Sequence, residues 1–447
     1  MSTEVAVSWT GRGLLMAGIA LVLISCAQRE KPLPGERLDL RAPLQEDDAK
    51  PETQPKAKAD KLALPKAALN REWTHRNGTS RHAIRHPALN RTLTKIWSVN
   101  IGSGNSRKRQ ITADPIIAQG RVFTLDSQSG ARAFSTAGAL IWERNLTPPN
   151  EKTGEASGGG MAYGSGIVAA TTGHGDVYAL DPATGAVRWR HRTNGAIDAP
   201  PTIIGNVVVA VSRNNSAVGL DIKNGRILWQ TLSPGDSAGV AGSGAPAAVG
   251  NLVVVPYASG EVIGVVASNG LRAWSAAVTG GRKGLARSIV NNISGDPVIV
   301  GSTLYVGNQA GRVASLDRRS GSSNWIARDG SYTPVWPAGG AVFIVTDDFQ
   351  VKRLNVSDGQ EVWSADLPGY KANRARRFRD AFAHFGPTLA GGQVWIASSD
   401  GMMRSYNPST GALTGSVAVP GGAASQPAVA GGVMYVFSGN GQLHAYK

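Results

Sequence analysis

A chain of 447 residues has room for two or three ordinary domains, or for one repeat body with a continuous core. Glycine at 56 positions, only 17% charged residues, and runs such as VVVAVS and LVVVPY favour short strands and tight turns over helices, so the body reads as all-β. The formal charge of +15 suits an acidic protein surface, anionic lipid head groups or nucleic acid, and the export signal at the N-terminus argues against the last.

Residues 1–25 read as a lipoprotein signal peptide: Arg12, an apolar stretch from Gly13 to Ile24, then Leu23-Ile24-Ser25-Cys26, which resembles a bacterial lipobox. Cys26 is the sole cysteine, and lipidation at a mature N-terminus accounts for it without a disulfide partner. The competing reading, a short membrane anchor with an incidental cysteine, suffers from a stretch too short to span a bilayer comfortably. Residues 26–70 are rich in Pro and charge and poor in aromatic and β-branched residues, so they are expected to be the lipidated N-terminus and a flexible tether. Ala27 rather than Asp after the cysteine favours delivery to the outer membrane, with the chain on its periplasmic face.

Residues 71–447 repeat. A Gly is followed four residues later by Trp at Gly138/Trp142, Gly185/Trp189, Gly225/Trp229, Gly270/Trp274, Gly321/Trp325 and Gly359/Trp363, and a seventh copy has Gly411 but Gly415 in place of Trp. Each unit reads as four short strands, visible in PPTIIGNVVVAVSRNNSAVGLDIKNGRILW, where GN, RNNS and KNG separate them. Asp181, Asp221 and Asp317, with Asn355 and Asn407 at the matching place, are suited to bond their own turn backbone, while the Gly supplies the positive φ that closes it. The Trp offers a flat apolar surface for the next unit to cover, so Trp97, Trp142, Trp189, Trp229, Trp274, Trp325 and Trp363 are assigned to docking between units. The eighth unit ends at the last residue without a fourth strand, and TLTKIWSV, carrying Trp97, is expected to supply it. The expectation is an eight-bladed propeller of four-stranded antiparallel blades, its ring closed by an N-terminal strand.

The Asp-x-x-Thr-Gly-x-x-x-Trp stretch from Asp181 to Trp189 resembles the tryptophan-docking repeat of the pyrroloquinoline quinone (PQQ) family of propellers. The lipobox, the tether and a bare propeller of this length resemble the BamB family, lipoproteins of the outer-membrane β-barrel assembly machinery, over residues 26–447. That resemblance implies a non-catalytic scaffold without a cofactor. It would bind the POTRA domains of a BamA-type barrel protein, meet nascent outer-membrane proteins, and help barrels insert. Family contacts carried over by loop position fall on Val240 and Ala241, ahead of Gly242-Ser243-Gly244-Ala245-Pro246, and near Arg287 to Ser294, including Asn292. The side chains depart from the family's Leu-x-Leu-Arg and Asp-rich runs, with Asn291 and Asn292 standing where acids are expected.

Blade connectivity gives an independent expectation. The connections after Trp97, Trp274 and Trp363 are long, share one face and are basic: Arg107, Lys108 and Arg109; Arg282, Lys283 and Arg287; Lys371, Arg374, Arg376, Arg377 and Arg379. Such a face suits an acidic surface, with Arg and Lys steering the encounter. Two enzymatic readings compete. A periplasmic PQQ-dependent quinoprotein, or a propeller holding a small ligand in its channel, remains the alternative, although the adjacent-cysteine pair of many such dehydrogenases has no counterpart. GDSAG at Gly235–Gly239 fits a hydrolase nucleophile elbow, but Ser237 falls in an interblade loop rather than a strand-to-helix turn. His75, His82 and His86 lack metal-ligand spacing and read as surface or blade-edge residues.

Overall fold

Eight four-stranded antiparallel sheets form the body, and seven of them are built from consecutive strands. The computed structural model describes residues 59–233, 244–280, 292–371 and 380–447, all within one compact unit. Blades 1 to 7 span residues 116–145, 159–192, 202–232, 247–277, 295–327, 336–366 and 384–418. In the eighth, the strand Lys95–Asn100 pairs antiparallel with Gln442–Tyr446, and Thr94 and Lys447 exchange both backbone bonds at 2.9 Å. The expected closure by an N-terminal strand is what the register displays, and the ring has no open seam.

Burial follows strand position. The second strand of blade 3, VVVAVS, is buried at every residue because sheets cover both its faces, which is why its sequence does not alternate. The fourth strand, ILWQTL, lies outermost and buries only Trp229 fully. First strands lie against one another from blade 8 through blades 1 to 5 and between blades 6 and 7.

The contact that joins neighbouring blades is the same six times over. The indole N–H of Trp142, Trp189, Trp229, Trp274, Trp325 and Trp363 donates to a carbonyl in the turn of the following blade, at 2.7 to 3.1 Å. The ring lies flat on that turn's glycine: a methyl at Gly225 would come within 2.6 Å of Trp189, and one at Gly411 within 2.6 Å of Trp363. Trp97 packs on Gly138 in the same manner. Gly225 also has φ 69°, so its lack of a side chain serves both the turn and the approach of the indole. Asp181 Oδ1 accepts from the N–H groups of Ala183 and Thr184 and from the Thr184 hydroxyl, which fixes the turn that carries Gly185. Between blades 7 and 8, where Gly415 replaces the tryptophan, the Tyr446 hydroxyl donates to Ala418 O at 2.9 Å.

Trp189→Ala is expected to cost about 3–5 kcal/mol in denaturant unfolding, the range for emptying a large buried aromatic site. Gly225→Ala should also destabilise, but by less in the Trp189→Ala background, because the clash it creates is with that ring. Additive losses would mean that the two residues do not form one joint.

Candidate functional site

The centre of the ring is not left to solvent. Residues 60–91 cross the ends of the inner strands and hydrogen-bond to every blade. Trp73 exchanges backbone bonds with Ile117 of blade 1, and Tyr163, Ala248 and Ile299 of blades 2, 4 and 5 donate to Thr74, Ser80 and Arg81. Ile203 N–H of blade 3 donates to His75 Nε2 at 3.0 Å. Ala63 donates to Gly339 in blade 6, and Gly391 and Gly431 of blades 7 and 8 donate to Pro87 and Asn70. Trp73 is 1% exposed and stacks on Trp336 with ring centroids 6.2 Å apart, so it belongs to the interior and not to the outside of the ring.

Two expectations are corrected here. The flexible segment does not extend to residue 70: Asp60 N–H donates to Asn355 Oδ1 at 3.1 Å, and Leu62 and Leu64 pack on the core. A stretch with no core of its own can still order when it borrows apolar surface and unpaired backbone from a larger body. His75, His82 and His86 are likewise buried rather than superficial. The His82 Nδ1–H donates to Pro297 O at 2.9 Å, while the His86 Nδ1–H donates to Pro65 O and its Nε2 accepts from Gly392. Each histidine fastens the segment to backbone groups.

Arg76 sits at the middle of this segment. Its guanidinium pairs with Asp114 at the entry to blade 1 and, at 3.2 Å, with Asp296 of blade 5, and it donates to Thr112 O at 2.9 Å. Asp114 also accepts from Gln426 N–H and Asp296 from Ala245 N–H, so four stretches of the ring and the segment meet on one ion cluster. Burial pushes both carboxyls up from their ordinary value against the pull of Arg76. Burial also holds His75, next to His82, at about 3, and holds His82 at about 3.

Above Arg76 lies a cavity of about 580 Å³. Thr112, Asn292, Thr333, Tyr370 and Gln426, drawn from the connections between blades, line its wall, as do Phe385 from the first strand of blade 7 and Gln309 and Phe349 from turns within blades. The described parts of the connections after Trp97, Trp274 and Trp363 therefore each contribute to one wall, through Thr112, Asn292 and Tyr370. Arg107 and Lys108, in the first of these connections, are exposed and Arg109 is partly covered. Asn292 is 1% exposed, set in the cavity wall rather than on a loop tip. Cys26, Val240, Ala241, Arg282, Lys283, Arg287, Arg374, Arg376, Arg377 and Arg379 lie outside the described residues, as does Ser237.

A family model described as outer membrane protein assembly factor BamB matches residues 127–365 and 347–447. The chain belongs to the BamB family. Relatives of that name include those of Shewanella oneidensis, 24% identical with 78% of this chain and 87% of the relative covered, and of Xanthomonas campestris, 26% identical with 79% and 86% covered. Among solved structures, BamB from Moraxella catarrhalis matches with a TM-score of 0.66 at 19% identity, covering 80% of this chain and all of that one. A quinohemoprotein alcohol dehydrogenase from Comamonas testosteroni has the same TM-score at 14% identity, covering 85% and 81%. At such identities the likeness is one of fold, and the chemistry must be read from the hollow itself.

A pyrroloquinoline quinone carries three carboxylates, and the described lining does not fit it. The one guanidinium there, Arg76, is already engaged by Asp114 and Asp296, and Asp347 adds a further acid. Sequence reasoning missed Arg76, Asp114 and Asp296: each aspartate is a lone charge before a proline at a strand entry, and Arg76 is one of several basic residues in its segment.

Arg76→Met is expected to cost about 3–5 kcal/mol by leaving two buried carboxylates without their cation. The triple variant Arg76→Met/Asp114→Asn/Asp296→Asn should recover most of that loss; equal losses in both would contradict the pairing. The histidines set a second expectation. Unfolded histidine takes its proton near 6.5 whereas His75 and His82 resist until about 3, so their contribution to stability is present above 6.5 and is lost as pH falls through this window. Asp114 and Asp296, raised in the fold, act in the opposite sense above the ordinary carboxyl range. The fall in the unfolding midpoint from about pH 7 to about pH 5 should therefore shrink in His82→Asn, which keeps a side chain suited to the φ of 54° at that position. An unchanged fall would remove His82 from the account.

Proposed function

We propose that this protein is a non-catalytic scaffold of outer-membrane protein assembly, anchored by lipid at Cys26 to the periplasmic face of the outer membrane. It binds the POTRA domains of a BamA-type barrel protein and assists the insertion of β-barrel proteins. The observation that carries this reading is the match of the BamB family model across residues 127–447, which takes in blades 2 to 7 whole and most of blades 1 and 8. Two features of the molecule support it. The repeat's tryptophans are consumed in joints between blades, and the described lining of the hollow does not suit the quinone from which the wider repeat family takes its name.

The partner surface in this reading is the face on which the three long connections open. Their basic residues suit an acidic POTRA surface or anionic head groups, and charges of one sign on an encounter surface act chiefly on association rate and salt dependence. Val240 and Ala241 join this surface by their position in the loop before blade 4. Tethered by a lipid, the ring would hold its partner near the membrane without any chemistry of its own.

Neutralising Arg374, Arg376 and Arg377 to Ala is expected to weaken co-purification with a BamA-type barrel protein and to flatten the salt dependence of capture. Binding that matches the parent protein at every salt concentration would contradict this assignment of the face. Failure to co-purify any BamA-type partner from membranes would contradict the scaffold reading itself.

A further inference from the structure

The two faces of the ring are unlike. On the face opposite the cavity mouth, the first and second strands of each blade join through a two-residue turn, and none of these eight turns holds a charged residue. Across their centre runs the segment 60–91, which presents six exposed cations, Lys61, Lys66, Arg71, Arg81, Arg85 and Arg91. Lys61 runs past Gly340 of blade 6 and Arg91 past Gly392 of blade 7. The carbonyls of Asn70 and Arg81 accept from Gly431 of blade 8 and Ile299 of blade 5, so the six are spread over this face. Among the described residues none of them has an acid partner. The segment's two acids are engaged elsewhere: Asp60 accepts from the Ser357 hydroxyl at 2.8 Å, and Glu72 from Gln119 N–H at 3.2 Å.

Nothing adjoining cancels this surplus. The outer turns, between third and fourth strands, carry one aspartate each in blades 2, 3, 5 and 6 and two cations each in blades 3 and 5, so they balance. The chain leading to this face balances too, because residues 27–58 hold seven Lys or Arg and seven Asp or Glu. The long basic connections begin and end on the opposite face. A six-residue strand separates the two faces by about 20 Å, more than two Debye lengths at physiological salt, so each set of charges acts on its own surroundings.

Two further features belong to the segment's face. Leu69, 65% exposed, lies between Lys66 and Arg71 in the chain, and Val300, 42% exposed, adjoins the turn beside Arg81. The described chain also starts here: Asp60 N–H is held by Asn355 in an outer turn of blade 6, and thirty-two residues separate Cys26 from Ala59.

We propose that this face lies against an anionic phospholipid surface, its six cations on the phosphate head groups and Leu69 and Val300 at the apolar boundary. Basic side chains near such a surface each add attraction, and apolar side chains that enter it add more. The cavity mouth and the long connections then point away from the lipid, towards a protein partner. The inference rests on the anchored-scaffold reading only for the source of the lipid, the membrane that holds the tether.

The test places a fluorophore on single cysteines in the full-length protein, Asn206→Cys in the inner turn of blade 3 and Ser106→Cys in the connection after Trp97, both at exposed positions. The protein is bound to vesicles of three parts phosphatidylcholine to one part phosphatidylglycerol that carry nitroxide head groups as quencher. Quenching is expected at Asn206→Cys and not at Ser106→Cys. This contrast should be lost on phosphatidylcholine alone and when the six cations are changed together to Gln, exposed substitutions that should leave the melting temperature within a few degrees. High salt should abolish it without any substitution and serves if the Gln variant does not fold. Equal quenching at the two positions, stronger quenching at Ser106→Cys, or a contrast indifferent to phosphatidylglycerol would overturn the proposal. Failure of the anchored reading has a different sign, release of the protein from neutral vesicles.

Discussion

Eight sheets set around one axis leave eight inner strand ends facing a common hollow, each with backbone groups that need partners. Everything at the centre of this molecule answers that constraint. Residues 60–91 supply carbonyl, N–H and imidazole partners to each blade in turn, then continue into the strand that closes the ring. The same stretch of chain thus seals the hollow, seats Arg76 between blades 1 and 5, and completes blade 8. The cavity owes its blind end to this arrangement, and its mouth to the connections on the opposite side.

Around that centre the joints are uniform. Trp on Gly is the solution at every interface but one, with the indole N–H on the neighbouring turn's carbonyl at six of them, so near-identical joints give no partner a reason to choose a blade. Selectivity has to come from departures from the repeat. The departures are the long basic connections, the Gly415 interface and the turn that places Phe349, with φ 65°, in the cavity wall.

The ring was legible in the sequence because its signals are local. Asp181, Thr184, Gly185 and Trp189 act within one turn and one strand, and their recurrence carries both the blade count and the missing fourth strand. The N-terminal segment was not legible, because its contacts are long-range and mostly through backbone. Arg76 meets Asp114 and Asp296 at separations of 38 and 220 residues, and a polar, Pro-rich composition says nothing about carbonyls offered by another part of the chain. Histidines at 75, 82 and 86 looked superficial for the same reason: a buried imidazole satisfied by main chain leaves no pattern of neighbouring ligands. Phe349 was visible, as a phenylalanine where most aligned turns carry glycine, but its place in the cavity wall beside Tyr370 and His384 was not.

Native-state hydrogen exchange tests most directly whether residues 60–91 are part of the ring. The amides of Ile203, Ala248 and Ile299 each donate to this segment and to no strand beyond it. They are expected to exchange only with global unfolding, as slowly as the buried second strands of their own blades. Exchange at the rate of exposed strand edges, while those second strands stay protected, would show that the segment is a tether resting on the ring and would contradict the account.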